Sequence, residues 1–169
     1  MKFKNYIISV MLIVISTALQ AWEYESNQDK MSSKETRKAS VTSKNTLDFP
    51  FPYNKEHNFG FLFIRQTEGK SVDVFVAIRE GQILCPGYGD GCNVIVRFDD
   101  NKPSRYRAIG PNDHSSKVFF IHDTARFLAG ARKANKILIQ FTTYGAGEKI
   151  LEFTPSQPLS WDTPKKNKK

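Results

Sequence analysis

The chain has 169 residues and a formal net charge of +8, and this length corresponds to one domain. Much of the basic excess lies at the ends, since residues 22–161 carry 19 of the 25 basic and 16 of the 17 acidic side chains. A nucleic-acid-binding protein needs its excess charge on the folded domain, where it neutralises phosphates. The composition therefore argues against nucleic acid as a partner.

Residues 1–21 have the pattern of a secretory signal peptide. Two lysines precede an apolar run over residues 6–15, and small residues follow at the positions where a signal peptidase cuts. The run is shorter than the roughly 20 residues that a spanning helix needs, which favours a cleaved signal over a membrane anchor. Cleavage after Ala21 and cleavage after Ala18 both fit the pattern. We therefore expect a periplasmic or secreted protein.

Residues 22–161 are predicted to form one β-rich domain. Residues 22–26 alternate like a short strand with one buried face, and the second half of residues 27–46 suits an exposed edge strand. Apolar residues recur with a period of two most clearly at 72–78, and again at 92–98. Further short strands are predicted in residues 59–65, 106–109, 118–121, 137–141 and 150–153.

The period changes after residue 122. Asp123 can cap a helix, and apolar residues recur on one helical face as far as residue 134, which predicts one α-helix over about residues 123–134. About nine short strands with this late helix predict a mainly β fold, an antiparallel β-sandwich or open barrel with the helix over one end or face. Residues 162–169 form a lysine-rich tail that we expect to be disordered.

The chain has two cysteines, Cys85 and Cys92. In an exported protein such a pair is most simply a disulfide, and three glycines and a proline between them allow the ends of the loop to meet. The alternative is a two-thiolate metal site, which needs further ligands, whereas His57, His114 and His122 stand singly. We therefore predict a disulfide that joins two antiparallel strands near their hairpin, with no metal site and no cofactor.

No catalytic motif is recognisable in the sequence. Asp113–His114 and His122–Asp123 are adjacent pairs, but neighbours in a strand point to opposite faces and do not form a site by themselves. The carboxylates of residues 99–100 suggest calcium, but they lack the spaced oxygen ligands of a calcium loop and fit a tight turn better. The sequence thus favours a protein without enzymatic activity and leaves the question open.

Aromatic residues offer the best candidates for a contact surface. Most of the 13 phenylalanines are expected in the core, whereas Tyr53, Tyr88 and Tyr144 lie in predicted turns, where rings are more exposed. The tail is a second candidate, for weak electrostatic attachment to an acidic surface such as lipid headgroups. Its lysines are Lys165, Lys166, Lys168 and Lys169.

Motifs spread over residues 22–161 carry a resemblance to known proteins. They are Trp22, Asp29-Lys30-Met31, Ser43-Lys44-Asn45, Pro52-Tyr53, the run from Gly81 to Cys85, the run from Val94 to Asp100, Phe119-Phe120-Ile121, the run from Lys136 to Ile139, the hairpin from Phe141 to Phe153, and Leu159-Ser160-Trp161. In this order they resemble a group of small exported proteobacterial proteins of unknown function. More distantly they resemble the VasI-like proteins associated with type VI secretion. The VasI-like resemblance implies a periplasmic accessory role, and no catalytic residue carries over from it.

The leading interpretation is an exported, periplasmic binding or accessory protein without enzymatic activity, with a protein partner in the cell envelope. The alternative is an enzyme or an enzyme inhibitor that acts on the envelope, with His114, Asp113 or Asp99 in its site. That alternative requires these side chains to converge in one cleft.

Overall fold

The computed structural model of the protein describes residues 20–162, which form a mainly β fold with nine strands in one antiparallel sheet and a single late helix. The predicted fold class is therefore confirmed. The elements are β1 (Glu23–Gln28), β2 (Glu35–Thr46), β3 (Phe59–Thr67), β4 (Asp73–Ile78), β5 (Cys92–Phe98), β6 (Ser104–Ile109), β7 (Val118–Ile121), α1 (Thr124–Ala131), β8 (Ile137–Thr143) and β9 (Gly147–Phe153). Most of the predicted signal peptide and the four lysines of the tail lie outside the described residues. None of the helical structure in residues 20–162 is long and apolar enough to cross a membrane.

Strand alternation places one face of the sheet in the core. In β3, Leu62 and Ile64 are fully buried, whereas the intervening Phe61 and Phe63 are only partly covered. β4, β7 and β8 show the same alternation. The period of two in the sequence therefore identifies the inward-facing residues of these strands.

The sheet is one curled layer with the strand order β1-β2-β3-β4-β7-β6-β5-β8-β9. Although far apart in that order, β2 and β9 lie side by side, and Asn45 joins them. Its amide Nδ2 donates to the carbonyl oxygen of Ile150 at 2.9 Å, and its Oδ1 accepts from the backbone N–H of Glu152 at 2.8 Å. Gly60 is required at this junction because a Cβ there would overlap the Leu151 side chain. Of the two predicted architectures, the chain adopts the open barrel.

The helix α1 covers one end of the curled sheet. The carboxylate of Asp123 caps it by accepting a hydrogen bond from the backbone N–H of Arg126 at 3.3 Å, as the sequence predicts. Phe127 is fully buried and packs edge-on against the rings of Phe98 and Tyr106. The helix ends at Ala131, three residues before its predicted end, and a turn leads into β8.

The C-terminal segment, residues 154–162, fixes the helix to the edge of the sheet. The backbone N–H of Leu159 donates to the carbonyl oxygen of Ala131 at 3.1 Å, so the segment continues from the end of the helix. The backbone N–H of Ser160 donates to the hydroxyl of Tyr24 in β1 at 2.9 Å. Because Leu159 is buried as well, this segment belongs to the folded domain.

Two predictions about the first strands are wrong. β2 is not an edge strand, because it pairs with β1 on one side and β3 on the other. β1 is the edge, and it is exposed along its whole length instead of burying one face. The polar sequence of β2 led to the wrong edge-strand prediction, because the outer face of a curled antiparallel sheet meets solvent even in its central strands.

The predicted disulfide between Cys85 and Cys92 is formed, with the two Cα atoms 5.0 Å apart. However, it does not join the strands of a hairpin, because β4 pairs with β7 and β5 pairs with β6 and β8. The chain leaves the sheet after β4, and Ile83 makes only an isolated bridge to Thr143. The disulfide thus closes a loop that leads into β5. An oxidised cysteine pair is consistent with a location outside the cytoplasm.

Candidate functional site

Four connections meet at the end of the curled sheet opposite α1, and we call this region the loop end. β7 runs from one of these connections to α1, so the loop end and the helix lie at opposite ends of the strands. The loop end consists of residues 47–58, 79–91, 110–117 and 144–146.

Backbone hydrogen bonds tie these connections to one another. The N–H of Ile83 donates to the carbonyl oxygen of Ser116 at 2.7 Å, and the N–H of Tyr144 donates to that of Gln82 at 2.8 Å. Residues 79–91 are therefore held between the connection that precedes β7 and the hairpin that joins β8 to β9. These hydrogen bonds hold the connections at fixed positions relative to one another.

Glu80 and Asn58 attach residues 47–58 to the same surface. The buried Asn58 amide donates to the carbonyl oxygen of Glu80 at 3.1 Å, and its oxygen accepts from the N–H of Glu80 at 3.0 Å. The ammonium of Lys117 lies 3.1 Å from the Glu80 carboxylate, and that of Lys55 lies 3.5 Å from it. The hydrogen bond from Lys117 is the main reason that the pKa of the Glu80 carboxyl is lowered from its ordinary value.

Large apolar side chains are exposed on the loop end. Phe51 is 86% exposed, Tyr88 72%, Tyr144 66% and Leu84 48%. In residues 20–162, only three other large apolar side chains are comparably exposed, and they lie elsewhere on the fold. Tyr53 differs from the other two predicted tyrosines, because it is partly covered and packs against the core. A concentration of exposed apolar side chains is typical of an interaction surface.

A cleft of about 340 Å³ opens beside Tyr88. Its walls are mainly apolar. The lining residues are Ile83, Leu84, Cys85, Pro86, Gly87, Tyr88, Pro111, His114, Ser115 and Ser116. Cys85 is bonded to Cys92, so the disulfide holds one wall of the cleft in place.

The acidic and histidine residues singled out in the sequence do not converge. Asp113 and His114 lie at the loop end, whereas Asp99 follows β5 at the end covered by α1. The carboxylate of Asp99 accepts hydrogen bonds from the backbone N–H groups of Asn135 and Lys136, each at 2.9 Å. Asp99 therefore holds the turn after the helix, and its Oδ1 already accepts two hydrogen bonds.

No group of three or more potential metal-ligating side chains occurs in residues 20–162. Asp100 lies 3.5 Å from the Arg97 guanidinium and 3.6 Å from the Lys136 ammonium, so protein cations already face its carboxylate. His122 precedes α1 and lies away from the loop end. The loop end thus combines exposed apolar side chains with the ion pairs of Glu80 to Lys117 and Lys55.

Sequence reasoning missed Leu84 and Phe51 as exposed residues. Neither residue is among the predicted contact residues Tyr53, Tyr88 and Tyr144. The prolines on both sides of Phe51 were the available signal, because they disfavour a buried strand at that position.

The fold and the loop end together define a single-sheet β protein with exposed aromatic side chains beside a disulfide. No protein-family model matches the chain, and neither a curated protein nor a solved structure shows a match to it. The resemblance to VasI-like proteins thus depends on the sequence motifs alone.

Proposed function

We propose that this chain is an exported, periplasmic binding or accessory protein without enzymatic activity, and that the loop end contacts a protein partner in the cell envelope. The observation that carries the proposal is the exposure of Phe51, Leu84, Tyr88 and Tyr144 on one hydrogen-bonded surface. Tyrosine and phenylalanine are enriched in the centres of protein interfaces, where they bury much area with few rotatable bonds.

The signal-peptide pattern and the disulfide support the extracytoplasmic part of the proposal. The resemblance to VasI-like proteins supports an accessory role associated with a secretion system. Intact mass measurement of the protein recovered from the periplasm tests the first part. We expect a chain that begins at Leu19 or Trp22, and a mass that includes residues 1–18 would contradict it.

The alternative, an enzyme or enzyme inhibitor of the envelope, required Asp99, Asp113 and His114 to converge in one cleft. These three residues do not converge. Asp99 lies at one end of β5 and is occupied by backbone donors, while Asp113 and His114 lie near the other end. We therefore retain the binding role as the proposed function.

Site-specific photo-crosslinking in the producing cell tests the role of the loop end. A benzoylphenylalanine is placed at position 88 or position 144, and the matched control carries it at position 31. Met31 is 95% exposed but lies on the turn between β1 and β2, at the opposite end of β2 from residues 47–58. We expect the same protein to be crosslinked from positions 88 and 144 and not from position 31. No adduct, or equal adducts from all three positions, would overturn the proposal.

A further inference from the structure

Several connections meet at the end of the curled sheet that α1 covers, and we call this region the helix end. The even-numbered strands run from this end to the loop end, and the odd-numbered strands run back. The helix end consists of residues 29–34, 68–72, 99–103, 122–136 and 154–162.

Charge is divided unequally between the two ends of the fold. The loop end carries five carboxylates and three cationic side chains, which sum to a charge of −2. The helix end carries six carboxylates and eight cationic side chains, which sum to +2. Residues 163–169, which follow the helix end along the chain, add four lysines and no acidic side chain. Positive charge is therefore concentrated at the helix end.

Many of these cations are not engaged by carboxylates. For five exposed lysines of the helix end, no carboxylate in residues 20–162 lies within 4.0 Å of the ammonium. They are Lys30, Lys34, Lys70, Lys102 and Lys133. By contrast, both lysines of the loop end pair with Glu80. Because the five lysines belong to four separate connections around the end of the sheet, they suit a broad anionic surface better than one extended peptide.

The turn between β1 and β2 presents Met31 between two of these lysines. The carboxylate of Asp29 accepts hydrogen bonds from the backbone N–H groups of Met31 at 3.0 Å and Ser32 at 2.6 Å. The backbone N–H of Asp29 donates to the carbonyl oxygen of Lys34 at 2.9 Å, which closes the turn. On this turn Met31 is 95% exposed, and Lys30 and Lys34 are exposed as well. A single exposed apolar side chain is common in itself, but one flanked by ammonium groups matches the lipid–water interface, which has an apolar interior and anionic headgroups.

The C-terminal segment leaves the fold beside the same turn. The guanidinium of Arg37, near the start of β2, donates to the carbonyl oxygen of Asp162 at 3.0 Å and lies 5.2 Å from the ring centre of Trp161. The Nε of Arg132, directly after α1, donates to the carbonyl oxygen of Trp161 at 2.8 Å. The four lysines of the tail therefore begin from a fixed point on the helix end.

We propose that the helix end binds an anionic lipid surface, with Met31 in the headgroup region and the surrounding lysines against the lipid phosphates. The tail adds to this attraction because each further cation near the surface strengthens it. The loop end then points away from the membrane, towards a protein partner. This inference goes beyond the proposed function, since it concerns the opposite end of the fold and requires no protein partner.

Vesicle binding of the full exported chain tests the charge complementarity. Vesicles of phosphatidylcholine with about one third phosphatidylglycerol are compared with vesicles of phosphatidylcholine alone in a sedimentation assay. At low ionic strength we expect about tenfold tighter binding to the anionic vesicles, and at about 0.5 M salt we expect this difference to disappear.

Paired substitutions locate the contact on the fold. Lys30→Gln with Lys34→Gln should weaken binding to the anionic vesicles about fivefold, because it removes two cations beside Met31. The matched control is Lys44→Gln with Lys55→Gln, which removes the same charge from exposed lysines outside the helix end. It should change the affinity less than about twofold. Thermal unfolding of each variant verifies that it folds.

A second variant separates the folded helix end from the tail. In the full chain, the tail is neutralised by Lys165→Gln, Lys166→Gln, Lys168→Gln and Lys169→Gln. We expect this variant to bind more weakly than the original chain and still to prefer anionic vesicles. The remaining preference should be lost when Lys30→Gln and Lys34→Gln are added. A variant with a neutral tail and no preference would show that the tail acts alone, which overturns the inference.

Met31 also gives a local readout of the membrane contact. The methionines of the chain are Met1, Met11 and Met31, so only Met31 remains after the predicted signal cleavage. Its labelled methyl signal is recorded with anionic bicelles that contain a spin-labelled lipid. We expect this signal to broaden, while the methyl signals of Leu84 on the loop end stay sharp. Leu84 is the matched control because it is 48% exposed at the opposite end.

Three further outcomes overturn this inference. The first is equal binding to neutral and anionic vesicles, and the second is an equal loss of affinity in the two pairs of lysine variants. The third is binding to polyglutamate without binding to anionic vesicles, which would assign the helix end to an acidic polypeptide. The crosslinking experiment at the loop end is independent of all three, so failure of the lipid contact and failure of the proposed function are distinguishable.

Discussion

Two aromatic surfaces of this protein differ in how their rings are used. On the outer face of the sheet, four phenylalanines of β3, β4 and β7 form a row of neighbouring rings, which we call the phenylalanine row. The members are Phe61, Phe63, Phe75 and Phe120, with centroid distances of 6.2, 4.8 and 5.2 Å between successive rings. On the loop end, Tyr88 and Tyr144 are mostly exposed, and in residues 20–162 no other ring stacks on them.

Cations complete the phenylalanine row. The guanidinium of Arg65 lies 5.1 Å from the ring centre of Phe75, and the ammonium of Lys38 lies 5.8 Å from that of Phe63. Each cation also pairs with a carboxylate, so the charge is balanced locally. The ring faces are thus used within the fold, and this surface contributes to stability. The rings of Tyr88 and Tyr144 on the loop end are instead mostly exposed.

Replacement of the central ring of the phenylalanine row gives the largest expected effect. Phe75→Ala removes contacts with Phe63 and Phe120, and we expect it to lower the free energy of unfolding by about 2–3 kcal/mol. The matched control Tyr144→Ala should change it by less than about 0.5 kcal/mol, because that side chain is exposed. Urea denaturation measures both values. Equal losses in the two variants would show that the two surfaces do not differ as described.

Loss of the disulfide gives the next largest effect. The paired substitution of Cys85→Ser with Cys92→Ser opens a short loop, and we expect the free energy of unfolding to fall by about 2 kcal/mol. Urea denaturation measures this loss as well. The phenylalanine row lies in the sheet and should be unaffected. Unchanged stability would contradict this role of the disulfide.

The difference between these surfaces also explains how much of the fold could be predicted. Period-two alternation identified the buried residues of β3 and β4, because burial of one face dominates the pattern of a strand. The cap at Asp123 identified the helix start, because capping is a local interaction. Alternation does not encode which strands pair. The pairing of β4 with β7 was therefore not predicted, and the position of the disulfide was predicted wrongly.

The candidate site was predictable only in part. Tyr88 and Tyr144 were identified because turn residues signal exposure, but Tyr53 shows that a turn can also pack against the core. The cleft could not be predicted, since it depends on the contact between residues 83–88 and 111–116. That contact is long-range, and nothing in the sequence specifies it before the sheet order is known.

The guanidinium over the ring of Phe75 has a smaller expected effect. In a double-mutant cycle, Arg65→Gln is made in the original chain and in Phe75→Leu. The ion pair between Arg65 and Asp73, at 2.8 Å, is present in both backgrounds, so the cycle isolates the contact between the cation and the ring. We expect a coupling energy of about 0.5–1 kcal/mol from denaturation experiments. A coupling energy of zero would mean that Arg65 acts only through Asp73.

Protonation of Glu80 gives the smallest effect and is confined to the loop end. The hydrogen bond from Lys117 lowers the pKa of Glu80 in the folded protein, so the ionised carboxylate stabilises the fold above its unfolded-state pKa. This contribution is lost as the pH falls through the lowered pKa. The difference in free energy of unfolding between the original chain and Glu80→Gln should therefore be largest above about pH 5 and shrink towards pH 3.

Asp29 provides the matched control for this pH dependence. Its carboxylate accepts a hydrogen bond from the backbone N–H of Ser32, which lowers the pKa of Asp29, but it lies on the turn between β1 and β2. Asp29→Asn should therefore show the same direction of pH dependence as Glu80→Gln.

The two variants should differ in the place where backbone amide exchange accelerates. In Glu80→Gln we expect faster exchange at residues 47–58. The reason is that Lys117 and Lys55 then lose the carboxylate with which they form ion pairs. In Asp29→Asn the exchange at 47–58 should stay unchanged. If both variants accelerated it equally, the loop end would be stabilised by the whole sheet and not by its own ion pairs.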